Sequence, residues 1–416
     1  MSNNVPFSNL NRSVVKSYKY LYDSYVPDKL ISRDNEIKGV EQALGPIFKE
    51  GHPKNMMLLG KPGTGKTVVS KYVIKQLDKY IQSHPDELDI EIRNIDISCG
   101  TQTTQIKILT RIIYELDPAN PLPKSGYSAG RYYDELYRVI SRFGKPLKLI
   151  LIFDEVDKID MDNIIYNFSR ASGETIPSDC CISMLCTTNN LQYLSSGVLS
   201  PRTLSSAKFT RLVFSSYDAF ELTQILEERA NKALYPNALG EGEGIIEHCA
   251  ALAARDHGDA RHAIELLYDT VKYVEDSGRD VVLHDDVEYI HSLEVHKLYE
   301  YIPAASLNEQ LVMCSVCINS LQHSMDDVIV TGDVRFEYYG LCRARGVPPA
   351  SDSSISRYLN SLENMRLIAT KAYKPVSGGN TRKITISVPA DEMLDYIIKY
   401  IDYPGFVEYV KKQVSF

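Results

Sequence analysis

Gly60-Lys61-Pro62-Gly63-Thr64-Gly65-Lys66-Thr67 is the stretch from which the fold of this chain is read. It follows the apolar run Met56-Met57-Leu58-Leu59 and leads into helical periodicity over 68–77. Strand, glycine-rich loop, helix is the setting in which Gly-x4-Gly-Lys-Thr cradles phosphates. The glycines let backbone N–H groups turn inward around anionic oxygens, at the positive end of a helix. Pro62, Gly63, Thr64, Gly65, Lys66, Thr67 and Val68 are therefore candidate contacts for ATP or ADP. Lys66 brings a charge to the β and γ phosphates, and the Thr67 hydroxyl is a candidate Mg²⁺ ligand.

A nucleotide site that also hydrolyses needs carboxylates at a strand end beside the loop. Leu147-Lys148-Leu149-Ile150-Leu151-Ile152-Phe153-Asp154-Glu155 provides them. Asp154 is expected to orient Mg²⁺, and Glu155 to polarise the attacking water for in-line displacement. Thr187-Thr188-Asn189-Asn190 ends a further strand-like run, so the Asn189 amide is placed to hold that water or touch the γ-phosphate. Gly258-Asp259-Ala260-Arg261 opens a later helix, where Arg261 can report loss of the γ-phosphate. Arg202, in Leu199-Ser200-Pro201-Arg202, is either an arginine finger for a neighbouring copy or one half of an internal salt bridge.

The 416 residues, 44% hydrophobic and 24% charged, suit a soluble protein of several domains. No run reaches the 18 apolar residues of a membrane span, and Met1-Ser2-Asn3-Asn4-Val5-Pro6 lacks a signal-peptide layout, so a cytoplasmic, membrane-free protein is expected. The eight cysteines form no framework. Cys314-x-x-Cys317 has no second ligand pair and lies in an apolar helical run, so core packing is expected. The nine histidines show no metal-binding spacing, and no protein metal cage is expected.

Five strand-like runs alternate with helices from 33 to 217, implying an α/β layer around a largely parallel sheet, preceded by an N-terminal arm over 1–32. Residues 218–297 read as a helical lid. Residues 298–416 have their own layout: helices over 307–321, 332–345 and 352–365, then two strand-like runs over 367–374 and 382–388. Helix, turn, helix, hairpin reads as a winged helix. The net charge of −8 argues against nonspecific coating of nucleic acid, yet nine basic residues face three acidic ones between Arg335 and Lys383. That concentration suggests a dedicated contact face for double-stranded DNA. Ser353, Ser354, Arg357 and Asn360 lie opposite the apolar stripe of the last helix, and Lys371, Lys374, Arg382 and Lys383 line the wing.

The order of these motifs resembles the AAA+ ATPases. Leu199-Ser200-Pro201-Arg202-Thr203-Leu204-Ser205-Ser206, Phe214-Ser215-Ser216-Tyr217-Asp218-Ala219 and Gly258-Asp259-Ala260-Arg261-x-Ala263-Ile264-x-Leu266-Leu267 narrow it further. With the winged helix, they resemble the archaeal origin-recognition/cell-division-control type of DNA replication initiator, over nearly the whole chain. Asn190 stands where that family commonly has Asp, and Ser215-Ser216 where it commonly has Pro-Pro. The resemblance implies a five-stranded parallel AAA+ sheet with a helical lid and a C-terminal winged helix. It implies a nucleotide pocket bordered by Val26, Arg33 and Tyr217, and an initiator-specific insertion near Gly126–Arg131 in which Arg131 touches DNA. It also implies an ATP-switched, slowly hydrolysing protein that binds origin DNA, helps load the MCM helicase and meets other initiator copies. A clamp-loader-like or plasmid/viral ATPase using the winged helix for protein partners, and an ATP-switched transcription regulator, share the same motifs.

Overall fold

Seven consecutive positions of one strand, Leu147–Phe153, are buried, which requires neighbours on both edges and cover on both faces. The computed structural model provides both. It describes residues 14–49, 52–84, 89–123, 126–242, 244–256, 258–322, 328–373 and 381–414. The chain forms two compact units: 22–225 with 259–261, and the residues up to Leu21 with 226–258 and 262–416.

In the first unit, β1 (Met56–Gly60), β2 (Glu91–Ser98), β3 (Leu147–Asp154), β4 (Cys181–Thr188) and β5 (Thr210–Phe214) form one sheet in the order β2-β3-β4-β1-β5. Every neighbouring pair is parallel. Alternation along the strands divides the core in two. Met57, Leu59, Leu149, Leu151, Phe153, Met184 and Cys186 pack on one face, under α3 (Gln105–Leu116), α4 (Ala129–Ile140) and α5 (Asp162–Glu174). Met56, Leu58, Ile150, Ile152 and Leu185 pack on the other, against α1 (Asp34–Leu44) and α2 (Lys66–Ser83). The register pairs Leu59 with Thr188 and Ser98 with Asp154. The carboxyl ends of β1, β3 and β4 therefore open at one edge, where ligands bind in α/β sheets. The short α6 (Pro201–Ala207) precedes β5.

The arm expected over 1–32 is split: residues 14–21 open the second unit, whereas 22–32 belong to the first. Val15 bridges Leu234, Lys16 N donates to Ala233 O at 2.7 Å, and the Tyr18 hydroxyl donates to Glu275. Helices α7 (Ala219–Ala233), α8 (Ile245–Asp256), α9 (Ala260–Asp276) and α10 (His284–Tyr299) follow, α7 starting in the first unit and α9 with its first two residues there. A second core then gathers α11 (Leu307–Gln322), α12 (Thr331–Arg345), α13 (Asp352–Asn364), and the antiparallel hairpin of β6 (Ile368–Tyr373) and β7 (Thr381–Ile386). Two further helices, α14 (Ala390–Ile401) and α15 (Pro404–Val414), complete it through Met393, Ile397, Phe406 and Val410. Cys314 and Cys317 are fully buried in α11. The α12–α13 turn is pinned by Tyr338, whose hydroxyl donates to Asn308 Oδ1 at 2.7 Å and accepts from Ala350 N. Among the described residues no helix is long and apolar enough to cross a membrane.

Candidate functional site

The loop between β1 and α2 requires glycine at two points. Gly63 and Gly65 have φ of +67° and +93°, a region that side chains with a Cβ rarely enter. Gly65 caps α2 in the left-handed conformation, so the first N–H groups of a helix of 18 residues open toward the loop. Space is the second constraint. A Cβ on Gly65 would lie 2.6 Å from the Tyr217 hydroxyl, and one on Gly63 only 1.5 Å from Asp259 Oδ1.

Lys66 is 6% exposed, and its ammonium donates to Gly60 O and Lys61 O, both at 2.7 Å. Burial pulls its pKa down to about 8, while the carboxylates of Asp154, Asp157 and Asp259 oppose the shift and Arg261 adds to it. The charge is thus largely buried, with two carbonyls as its hydrogen-bond partners among the described residues, a setting that favours an incoming phosphate. Thr64 is buried and donates to Lys61 O; Val68 is half-buried and Pro62 exposed at the rim.

Thr67 Oγ1 lies 3.0 Å and 3.3 Å from the two Asp154 carboxylate oxygens. Thr187, on β4, donates to Asp154 Oδ1 at 2.5 Å and accepts from Glu155 N at 3.1 Å. Asp154 is therefore fixed by hydroxyls from both sides, beside the first turn of α2. The next residue, Glu155, sits at φ 58°, ψ 54°, an uncommon backbone state for a residue with a side chain and one that concentrates at functional sites. Its carboxylate reaches toward Gly100, where a Cβ would come within 3.2 Å of Oε2. Asn189 is half-buried at the carboxyl end of β4. Thr188 beside it donates to Asp157 at 2.6 Å.

Arg33 is 4% exposed and lies 3.7 Å over the Tyr217 ring. It donates to Thr64 O at 3.1 Å, Ser215 O at 2.8 Å and Ser32 O at 3.0 Å. Arg33 and Tyr217 thus brace the loop from behind, and Val26 is half-buried in the same unit. From the start of α9, Ala260 N donates to Gly63 O at 3.2 Å, and Arg261 N to Asp259 Oδ1 at 2.8 Å. The Arg261 guanidinium, half-exposed, pairs with Asp23 at 2.8 Å. Arg202 is elsewhere: it is exposed on α6, 4.8 Å over the Tyr166 ring, with Asp162 as its carboxylate neighbour.

The sequence reading missed two contributors, Thr187 and Asp259. Thr187 looks like ordinary strand polarity, and its signal is only that it ends a strand next to β3. Asp259, 5% exposed, presses on a loop far away in sequence. Gly63→Ala is expected to lower ADP affinity about tenfold or more with the fold retained. The new methyl adds roughly 1–2 kcal/mol of left-handed strain and displaces Asp259. Calorimetric titration with ADP, alongside a melting curve, checks it.

In the other unit, α13 buries Ile355, Leu359 and Leu362 and exposes Ser353, Arg357 and Asn360, with Ser354 half-buried. The wing pairs Lys371 directly with Lys383 across β6 and β7, both exposed. Arg382 donates to Asn360 Oδ1, joining hairpin to helix. Lys374 and the rest of the wing tip, 374–380, lie outside the described residues. Arg131 is exposed near the start of α4, 5.0 Å from the Tyr127 ring.

Three family models match: an AAA ATPase domain over 29–165, a Cdc6 AAA+ ATPase-type lid domain over 223–292, and a CDC6 C-terminal winged helix domain over 300–396. An ORC1-type DNA replication protein of Pyrococcus abyssi is 31% identical, across 91% of this chain and 88% of that one. Its counterpart in Pyrococcus furiosus is 30% identical, across 94% and 91%. Among solved structures, the Aeropyrum pernix ORC1 protein in complex with DNA has a TM-score of 0.61 at 25% identity, covering 93% of this chain and 97% of that one. The Aeropyrum pernix ORC2 protein, solved as ADPNP–ADP complexes, shares the fold with a TM-score of 0.67 at 20% identity, covering 93% and 98%.

Proposed function

The chain belongs to the ORC1-type DNA replication proteins and is an AAA+ ATPase, and from that premise we propose that it is a nucleotide-switched initiator that binds origin DNA and helps load the MCM helicase. The observation that carries the proposal is the pairing, in one chain, of a fully furnished phosphate loop with a basic winged helix. Pro62 to Val68 would hold the phosphates of ATP or ADP, with Arg33, Tyr217 and Val26 at the border and Lys66 as the neutralising charge. Thr67 and Asp154 fit Mg²⁺: their oxygens already crowd together beside the α2 N-terminus, an all-oxygen donor set of the kind that ion prefers. Bound there, Mg²⁺ supplies charge stabilisation of the phosphate oxygens.

Glu155 is the proposed general base for the attacking water, and Asn189 orients that water. Arg261 senses the γ-phosphate, drawing away from Asp23 when the third phosphate is present. Arg202, exposed and resting on a Tyr ring, is free of the loop of its own chain and suits a neighbouring copy's nucleotide. Ser353, Ser354, Arg357, Asn360, Lys371, Arg382 and Lys383, with Lys374, would face double-stranded DNA, and Arg131 a second segment of the duplex. Slow hydrolysis then acts as a timer on those contacts. The family relationship favours this reading over a clamp loader or a transcription regulator.

Footprinting the purified protein on its host's chromosomal DNA, with and without ATP, tests the proposal. Protection at an inverted repeat near an origin is expected; scattered protection at promoters, or none, would refute it.

A further inference from the structure

Among the described residues, one group of three metal-capable side chains converges outside the nucleotide site: His248, His284 and Glu288. His248 lies on α8, and His284 and Glu288 lie one helical turn apart on α10, which packs against α8. Their donor atoms all fall within 4.8 Å of one another. The two imidazoles stack with centroids 4.0 Å apart and planes at 29°. His248 Nε2 is sealed from solvent and makes no hydrogen bond, although Glu288 Oε1 lies only 2.7 Å away. The ion pair already brings an imidazole nitrogen and a carboxylate oxygen onto one point.

We propose that His248, His284 and Glu288 form a binding site for a borderline divalent transition metal of the zinc class, clamping α8 to α10. Two neutral imidazoles and one carboxylate are the donors that zinc, cobalt(II) and nickel(II) take, and a fourth position stays open to water. Donor atoms around a tetrahedral ion with bonds of about 2 Å stand roughly 3.3 Å apart. To admit the ion, Glu288, with its side chain 53% exposed, retreats slightly from His248, and donor pairs as far as 4.8 Å apart close toward that spacing. The hard oxygen set of Thr67 and Asp154 selects differently, for Mg²⁺, so the two sites do not compete for one ion. Sequence spacing conceals the site, since the third ligand comes from a separate helix.

Cobalt(II) titration of the full-length, tag-free, nucleotide-free protein tests the proposal. One equivalent should produce the intense visible absorption of a nitrogen-ligated, four-coordinate ion and be displaced by zinc. Supporting groups around metal ligands each contribute about 10–100-fold to affinity, so losing a ligand should cost at least that much. His248→Ala and His284→Ala should each weaken binding about 100-fold, and Glu288→Gln, at an exposed position, about tenfold. Circular dichroism confirms that each variant is folded, and Glu288→Gln carries the test should a histidine variant fail to fold. Absence of the absorption band, or a band of equal strength in the variants, would overturn the site.

Discussion

Lys66→Ala is expected to weaken ATP and ADP binding by about 10–100-fold while leaving the fold intact. A hydrogen bond to a charged group is worth roughly 1.5–3 kcal/mol, and each 1.4 kcal/mol is a factor of ten. Lys66 is at the strong end of that range because it is buried and, among the described residues, hydrogen-bonds to the carbonyls of Gly60 and Lys61. The same burial gives a pH signature. With its pKa near 8, Lys66 in the free protein loses its proton as the pH rises through 8. Bound phosphate favours the charged form, so above that pH binding must take up one proton. Nucleotide affinity should therefore be flat below pH 7 and fall toward tenfold per unit above about 8, and Lys66→Ala should remove that dependence. Titration calorimetry in buffers of different ionisation enthalpy measures both the affinity and the proton.

The second large effect belongs to the winged helix. Four phosphate contacts would give a slope of log affinity against log salt of roughly −3 to −4. Arg357 is exposed on α13, and Arg382 is tied to Asn360 one turn along the same helix, so one face carries both. The Arg357→Ala, Arg382→Ala double variant is expected to lose about two units of slope and to bind at least tenfold more weakly in low salt. Its melting temperature should not change, because neither side chain enters the core around Ile355, Leu359 and Leu362. Fluorescence anisotropy over a salt series reads the slope, and an unaltered slope would remove this face from the DNA contact.

The parts of the fold legible in the sequence were those where burial writes a simple pattern. The apolar run at 147–153, interrupted only by Lys148, is an inner parallel strand, and the half-polar stretch at 91–98 is the edge strand β2. Helices α14 and α15 were passed over, although Met393, Leu394, Ile397 and Ile401 repeat at helical spacing. Helix α5 was likewise missed despite Ile164, Ile165, Phe168 and Ala171.

The site divides differently. Residues named by local motifs, Lys66, Thr67, Asp154 and Glu155, are brought together by the parallel register of β1, β4 and β3. Asp259 against Gly63, Thr187 against Asp154 and the His248 cluster depend on which elements become neighbours. No spacing in the chain encodes that. Arg33 differs again: its donors brace the loop through Thr64 O and Ser215 O, a supporting role set by the fold and by no motif.

On the proposed function, the nucleotide held at Gly60–Thr67 governs what the winged helix does. The most direct test is the affinity for one footprinted duplex, measured at fixed salt with ATP and again with ADP. A difference of at least about tenfold is expected, a coupling of roughly 1.4 kcal/mol, abolished in Lys66→Ala. Equal affinities in the two nucleotide states, with both nucleotides demonstrably bound, would contradict it.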